Sequence, residues 1–180
     1  MGLQDRSYTR NYLGTPGFPP GVKWLLIIQG AIFVFLFVGS AFGLSLVDDF
    51  RVLLALTPKA VVEFLWVWQL LTYSFLHYDA MHFLFNALTI WFMGSALEGV
   101  WRTRRFLQFY MLCALGGGIM GVIGGYVLGG VSTPTIGASG AGFGLLVAFG
   151  VLFAEQTIIF IIFLSSAGGA SCTLFCNERK

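Results

Sequence analysis

The stretch TPTIGASGAGFG, residues 133–144, decides how the C-terminal part of the chain folds, because an apolar helix starts within it. The pattern predicts a helix that begins between residues 136 and 139 and ends near Phe153. Ser139 lies among small residues, which allow membrane helices to approach closely. A serine at a helix start would also lie beside unpaired backbone N–H groups that stabilise a developing negative charge. The stretch alone leaves both explanations open, and packing is the simpler one.

The composition of the whole chain indicates an integral membrane protein. Of its 180 residues, 57% are hydrophobic and only 10% are charged, and the mean hydropathy is +0.84. A bilayer core needs roughly 20 apolar residues per helix. The net charge of +2 is small and scattered, so nucleic acid is not an expected partner, whereas the lipid bilayer is.

The apolar runs predict about four transmembrane helices in an all-α, polytopic protein, over approximately residues 23–47, 80–97, 106–130 and 139–153. Asp48 and Asp49 are expected to end the first helix. The segment from Arg51 to Asp79 carries interleaved Trp and Tyr residues, which favour the headgroup level. We therefore expect this segment to lie in the membrane interface and not to span.

Glycines recur every four residues in the third predicted helix, at positions 117, 121, 125 and 129. This spacing places them on one face, which then has no side chains and lets another helix approach closely. The pattern predicts a buried central helix.

Positive charges in the short loops predict the orientation. Arg6, Arg10 and Lys23 precede the first helix, and three arginines follow the second. The positive-inside rule then makes residues 1–22 a cytoplasmic tail. With this orientation the second and fourth helices start in the same leaflet, so His82 and Ser139 lie at similar depth.

HYDAMHFLFN, residues 77–86, contains the two histidines of the chain. His77 and His82 are about 140° apart around a helix, so joint metal ligation is not expected. His82 and Asn86 share one face. They are either structural groups that bond a backbone carbonyl or a neighbouring helix, or donors of a catalytic site. Together with Ser139 they would complete an oxyanion hole for acyl transfer.

At this point the motifs resemble a known family. GASG, residues 137–140, matches the GxSG motif of rhomboid intramembrane serine proteases, and residues 77–86 resemble the family's HxxxxHxxxN motif. The resemblance covers about residues 23–164. It implies a six-helix bundle of which about four helices are present, and an endopeptidase that cleaves transmembrane or juxtamembrane segments of membrane proteins. It implies no metal and no other cofactor.

The resemblance also implies roles for single residues. Ser139 would be the nucleophile, and His82 and Asn86 would help to form the oxyanion hole. The implied supporting residues are His77, Gly137, Gly140 and Phe143. Phe143 falls where the family has an aromatic ring that packs on the catalytic histidine. A Trp-Arg pair that is frequent in the family's first loop reads Trp68-Gln69 here, which puts an arginine contact in that loop in doubt.

The family's general base is a histidine on the sixth helix, and the 180 residues contain none at such a position. We therefore expect residues 23–164 to be a partial rhomboid-like domain and residues 165–180 to be an atypical, disordered tail. Activity of the chain would be impaired by truncation. The alternatives are an inactive rhomboid-like protein that binds client transmembrane helices and a small channel or transporter subunit. The expected location is a prokaryotic inner membrane.

Overall fold

The computed structural model describes residues 17–153, which form an all-α fold. The helices are α1 Pro20–Ala41, α2 Ser45–Leu54, α3 Pro58–Glu63, α4 Gln69–Thr72, α5 Ala80–Leu128 and α6 Ser139–Leu152, with a 3₁₀ turn at Tyr73–Phe75. Extended pairing among these described residues is limited to one isolated bridge, between Leu56 and Thr135. The predicted all-α fold class is confirmed.

Helix α5 consists of two halves that reverse direction at Arg102, where φ is 64° and ψ is 160°. A Cβ atom added to Gly94 would lie 3.0 Å from the Phe106 ring, whereas residues this far apart in a straight helix are separated by about 18 Å. The Thr103 hydroxyl donates a 2.6 Å hydrogen bond to Glu98 across the turn. The predicted break between the second and third apolar runs is confirmed. The interruption is shorter than the expected gap between residues 97 and 106, because residues 104 and 105 are already helical.

Helices α1 and α5 are long and apolar enough to cross a membrane, and α6 is a shorter apolar helix. Helix α6 lies against both halves of α5. A Cβ atom at Gly142 would meet Thr89 of the first half at 3.6 Å, and one at Gly144 would overlap Cys113 of the second. Helix α6 thus packs against the reversed α5, and the length and composition of α1 and α5 suit an integral membrane protein.

The prediction that the first helix continues to Val47 is wrong. Helix α1 ends at Ala41, and the chain turns at Gly43, whose φ of +66° favours glycine. The Leu44 N–H then bonds to the Gly39 carbonyl at 3.0 Å. Val47 packs back onto Gly39, so the two aspartates at 48 and 49 lie near the start of α2 and do not end α1.

The predicted glycine face of α5 makes close contacts at three of its four positions. Added Cβ atoms at Gly117, Gly121 and Gly125 would lie within 3 Å of neighbouring atoms, which belong to Tyr73, Leu56 and Pro58 respectively. Gly129 instead ends the helix in the left-handed conformation, with φ at 79°. The close approach expected of small residues is therefore present.

The expectation of a buried central helix is wrong for the described residues. The side of α5 away from the glycine face exposes large apolar side chains, among them Ile119, Met120 and Ile123. The glycine spacing specifies only the face that meets other segments. It does not specify what covers the opposite face.

Two buried polar contacts fasten α1 to α5. Glu98 is 3% exposed, and its carboxylate accepts 2.8 Å bonds from the N–H groups of Gly21 and Val22 at the start of α1. Gln29 donates to the hydroxyl of Tyr110 at 2.8 Å. The carboxylate satisfies N–H groups that have no partner inside the helix, at the end of the dipole that favours negative charge.

The arginine asymmetry predicts the topology of this fold. In a cysteine-free variant, Lys59→Cys and Arg104→Cys should react with a membrane-impermeant maleimide from opposite sides of sealed vesicles, with position 59 external. Both positions are exposed, so accessibility does not limit the reaction. Labelling of both from one side would contradict the orientation.

Candidate active site

The loop that leads into α6 is tied to the loops between α2 and α5. The N–H and carbonyl groups of Leu56 and Thr135 pair at 3.0 and 2.8 Å, and the Gly137 N–H bonds to the Tyr73 carbonyl at 3.0 Å. The Tyr78 hydroxyl donates to the Pro134 carbonyl at 3.1 Å. The start of α6 is therefore held by residues remote in sequence.

Ser139 is the first residue of α6 and is solvent-exposed. Ala138 precedes it as the N-cap and provides no side-chain cap. Gly137 has a φ of +125°, which turns the chain sharply into the helix. The serine therefore lies among N–H groups that have no intrahelical partner, at the positive end of the dipole.

His82 lies in the first turn of α5 and touches the GxSG motif. The Asp79 carboxylate accepts the His82 N–H at 2.8 Å, which caps the helix start. A Cβ atom at Gly137 would lie 2.7 Å from both Cε1 and Nε2 of the His82 ring. The imidazole therefore packs on the glycine two residues before Ser139, and the two sequence motifs meet in the fold.

Asn86 lies one turn after His82 and is buried, with 8% of its surface exposed. Its Nδ2 group donates a 2.8 Å hydrogen bond to the His82 carbonyl. One of the two amide hydrogens is thus used within α5. Donation to a substrate oxygen would rely on the second hydrogen or on a rotation of the side chain.

His77 is buried beside His82. The centres of the two rings are 5.2 Å apart and meet edge to face, and Phe83 packs on the other side at 5.3 Å. Neither ring nitrogen makes a hydrogen bond of good geometry to a described residue. Burial lowers the pKa of His77 to about 4, and a charge on His82 acts in the same direction. His77 is therefore neutral at pH 7.

Phe143 does not pack on a histidine in the described residues. Its side chain is 67% exposed and lines an apolar groove of about 560 Å³ between α5 and α6, together with Trp101, Phe109, Val147 and Val151. Gly140, in contrast, is covered: a Cβ atom there would lie 2.8 Å from the Tyr73 hydroxyl.

Gln69 stabilises the first loop. It stands at the position where the family resemblance would place the arginine of a Trp-Arg pair. The side chain is fully buried. Its amide donates to the carbonyls of Val52 and Leu53 at 3.0 and 3.2 Å and accepts the Thr57 N–H at 3.0 Å. A neutral amide therefore makes three backbone contacts without an arginine, two to the last turn of α2 and one to Thr57.

Sequence analysis missed the roles of Tyr73, Tyr78 and Asp79. The helix-capping role of Asp79 could have been found, because an aspartate directly before an apolar helix is a typical N-cap. The two tyrosines were interpreted only as interfacial aromatics, and no sequence signal links either one to the loop before Ser139. Among residues 17–153, no group of three or more His, Cys, Asp or Glu residues could hold a metal ion.

The fold and the site together define a helical membrane protein with a serine at a helix start and a histidine that packs on the glycine two residues before this serine. Comparison with known families gives the class a name. The family model of the Rhomboid domain matches residues 65–176. The chain belongs to the rhomboid family.

Individual relatives agree with this assignment. The chain is 41% identical over 93 residues to YdcA of Bacillus subtilis (strain 168), covering 51% of this chain and 45% of that protein. It is 42% identical over 79 residues to the rhomboid protease GluP of the same organism, covering 44% of this chain and 14% of GluP. Rhomboid protease GlpG of Enterobacter sp. (strain 638) is 29% identical over 114 residues, covering 63% of this chain and 37% of GlpG. The chain thus spans less than half the length of each.

The contact between His82 and Gly137 predicts that Gly137→Ala is destabilising. The methyl group would overlap the imidazole, and alanine rarely adopts the backbone conformation found there. We expect a loss of roughly 1–3 kcal/mol in unfolding free energy, measured by denaturant titration in detergent. Gly116→Ala, with nothing within 4 Å of the added atom, is the matched control and should not destabilise. Equal effects would contradict the contact.

The burial of His77 predicts a pH dependence of stability. Its folded-state pKa is about 4 against an ordinary value of 6.5. Between these values the unfolded chain binds a proton that the folded chain does not, so stability falls as the pH drops from about 6.5 to 4. The melting temperature of His77→Phe should fall less over this interval than that of the parent. Parallel curves would contradict the assignment.

Proposed function

We propose that the chain is the core of a rhomboid-type serine endopeptidase that cleaves transmembrane or juxtamembrane segments of other membrane proteins in a prokaryotic inner membrane. The observation that carries the proposal is the packing of the His82 ring on Gly137. It joins the HxxxxHxxxN and GxSG motifs at the start of two helices. A purely structural serine would not need a histidine beside its motif.

In the proposed reaction the Ser139 hydroxyl oxygen attacks the carbonyl carbon of a peptide bond. The carbonyl oxygen becomes negatively charged, and donors near the helix start stabilise it. We assign His82 and Asn86 to this oxyanion hole, together with backbone N–H groups at the start of α6. Collapse of the intermediate breaks the C–N bond, and the amine leaves with the proton that the Ser139 hydroxyl lost on attack. Water then hydrolyses the acyl-enzyme, which releases the carboxylic acid and restores the Ser139 hydroxyl.

His77 is assigned a supporting role. It is buried, and its lowered pKa makes it a poor proton acceptor at pH 7. The proposal assigns His82 to the oxyanion hole, so neither histidine serves as general base. A serine without a base in hydrogen-bond reach is a weak nucleophile. Efficient turnover in this proposal therefore uses a histidine on a further helix, as the family resemblance implies.

The test compares the 180-residue chain with a version extended by a rhomboid fifth and sixth helix, both purified in detergent. Each is incubated with a transmembrane reporter and with a fluorophosphonate probe. The extended form should cleave and be labelled at Ser139, whereas the short form should do neither above its Ser139→Ala control. In the extended form, Asn86→Ala should lower the rate by roughly 10²-fold or more, with near-normal yield.

Three results would contradict parts of this assignment. Cleavage by the short form that His82→Ala abolishes would make His82 the base. An extended form that binds reporter helices but is never labelled at Ser139 would favour an inactive rhomboid-like protein that binds clients. Equal losses of folded protein and activity in Asn86→Ala would assign Asn86 to packing.

A further inference from the structure

Tyr73 contacts the chain on both sides of Ser139 but belongs to neither sequence motif. It is 3% exposed and begins the 3₁₀ turn after α4. Its carbonyl accepts the N–H of Leu76 at 3.2 Å and that of Gly137 at 3.0 Å. Since Gly137 is two residues before Ser139, the Tyr73 backbone fixes the path of the chain into α6.

The phenol of Tyr73 reaches the crossing of α6 with the second half of α5. Its hydroxyl donates to the Ala114 carbonyl at 2.9 Å. Added Cβ atoms at Gly117 and Gly140 would lie 2.6 and 2.8 Å from the same hydroxyl. The two glycines also approach each other closely, because a Cβ atom at Gly117 would be 3.0 Å from the Gly140 Cα. The hydroxyl thus occupies the space of the missing side chains.

We propose that Tyr73 is a positioning residue that fixes the location of Ser139 relative to α5. The proposal rests on the proposed function of Ser139 as nucleophile. A crossing made of two glycines has few side-chain contacts to prevent sliding, and the Tyr73 hydroxyl connects it to Ala114. Nucleophile placement matters because a displacement of about 1 Å can cost roughly 10²-fold in rate.

Tyr110 offers a matched control for simple loss of a buried phenol. It is fully buried, and its hydroxyl accepts a hydrogen bond from Gln29 of α1 at 2.8 Å and also interacts with Ser74 of the 3₁₀ turn. Tyr110→Phe therefore removes a comparable buried hydroxyl from its contacts with α1 and with the same 3₁₀ turn, but it leaves the bond from Tyr73 to Ala114 in place. General destabilisation should affect both variants, whereas displacement of Ser139 should follow only from Tyr73→Phe.

The first experiment measures amide hydrogen exchange in the 180-residue chain in detergent. Tyr73→Phe should accelerate exchange in a peptide covering residues 137–145 by roughly 10-fold, as local opening becomes easier. A peptide covering residues 103–112 should change little. Tyr110→Phe should not accelerate residues 137–145 selectively. Unchanged exchange at 137–145 in Tyr73→Phe, or equal acceleration by both variants, would overturn the proposal.

A second experiment uses the predicted overlap at Gly117. Gly117→Ala should lower the melting temperature, because the methyl group meets the Tyr73 hydroxyl and the Gly140 backbone. In the Tyr73→Phe background the hydroxyl is gone, so Gly117→Ala should lower the melting temperature less, a coupling that a double-mutant cycle measures. Equal decreases in both backgrounds would show that the hydroxyl does not occupy the crossing.

Kinetics in the extended chain separate positioning from packing. Tyr73→Phe should reduce kcat by roughly 10-fold with little change in KM, since chemistry and not binding depends on the placement of Ser139. Tyr110→Phe should leave both constants near the parent values. An unchanged kcat in Tyr73→Phe would overturn the positioning role. If no version reacts at Ser139, the proposed function fails. The exchange and melting experiments then still decide whether Tyr73 holds the start of α6 against α5.

Discussion

A membrane supplies no water to satisfy backbone polar groups, and the described structure depends on how the chain meets this constraint. Most groups bond within helices, but the loops between α2 and α5 and the start of α1 need other partners. Glu98 accepts hydrogen bonds from two N–H groups of α1, and Gln69 makes three bonds to backbone groups, two in the last turn of α2 and one at Thr57. Buried polar side chains thus take the place of solvent.

Close backbone approach is the second requirement of the fold. Gly117 and Gly140 let α5 and α6 come together without intervening side chains. Small residues suit such contacts because lipid tails compete with larger apolar side chains for packing. The same approach brings the start of α6 next to the loop that contains Tyr73. Helix packing and the location of Ser139 therefore have one physical basis.

The candidate site combines an exposed serine with buried supporting groups. His82 contacts Gly137, and His77 packs behind His82 with a lowered pKa. Because His77 is buried and neutral, His82 has no charged neighbour on the side where His77 packs. This arrangement suits a rigid donor set, which stabilises charge without reorganisation during reaction.

The sequence by itself determined the all-α membrane class, the break between the two halves of α5, and the spacing of His82, Asn86 and Ser139. These features follow from hydropathy, charge and helical period, which are properties of residues close together in the sequence. Only the tertiary structure decided the end of α1 at Ala41, because Val47 returns to pack on Gly39. It also decided the contacts of Tyr73 with Ala114 and Gly137 and those of Gln69 with residues 12 to 17 positions before it, since no local pattern encodes such contacts.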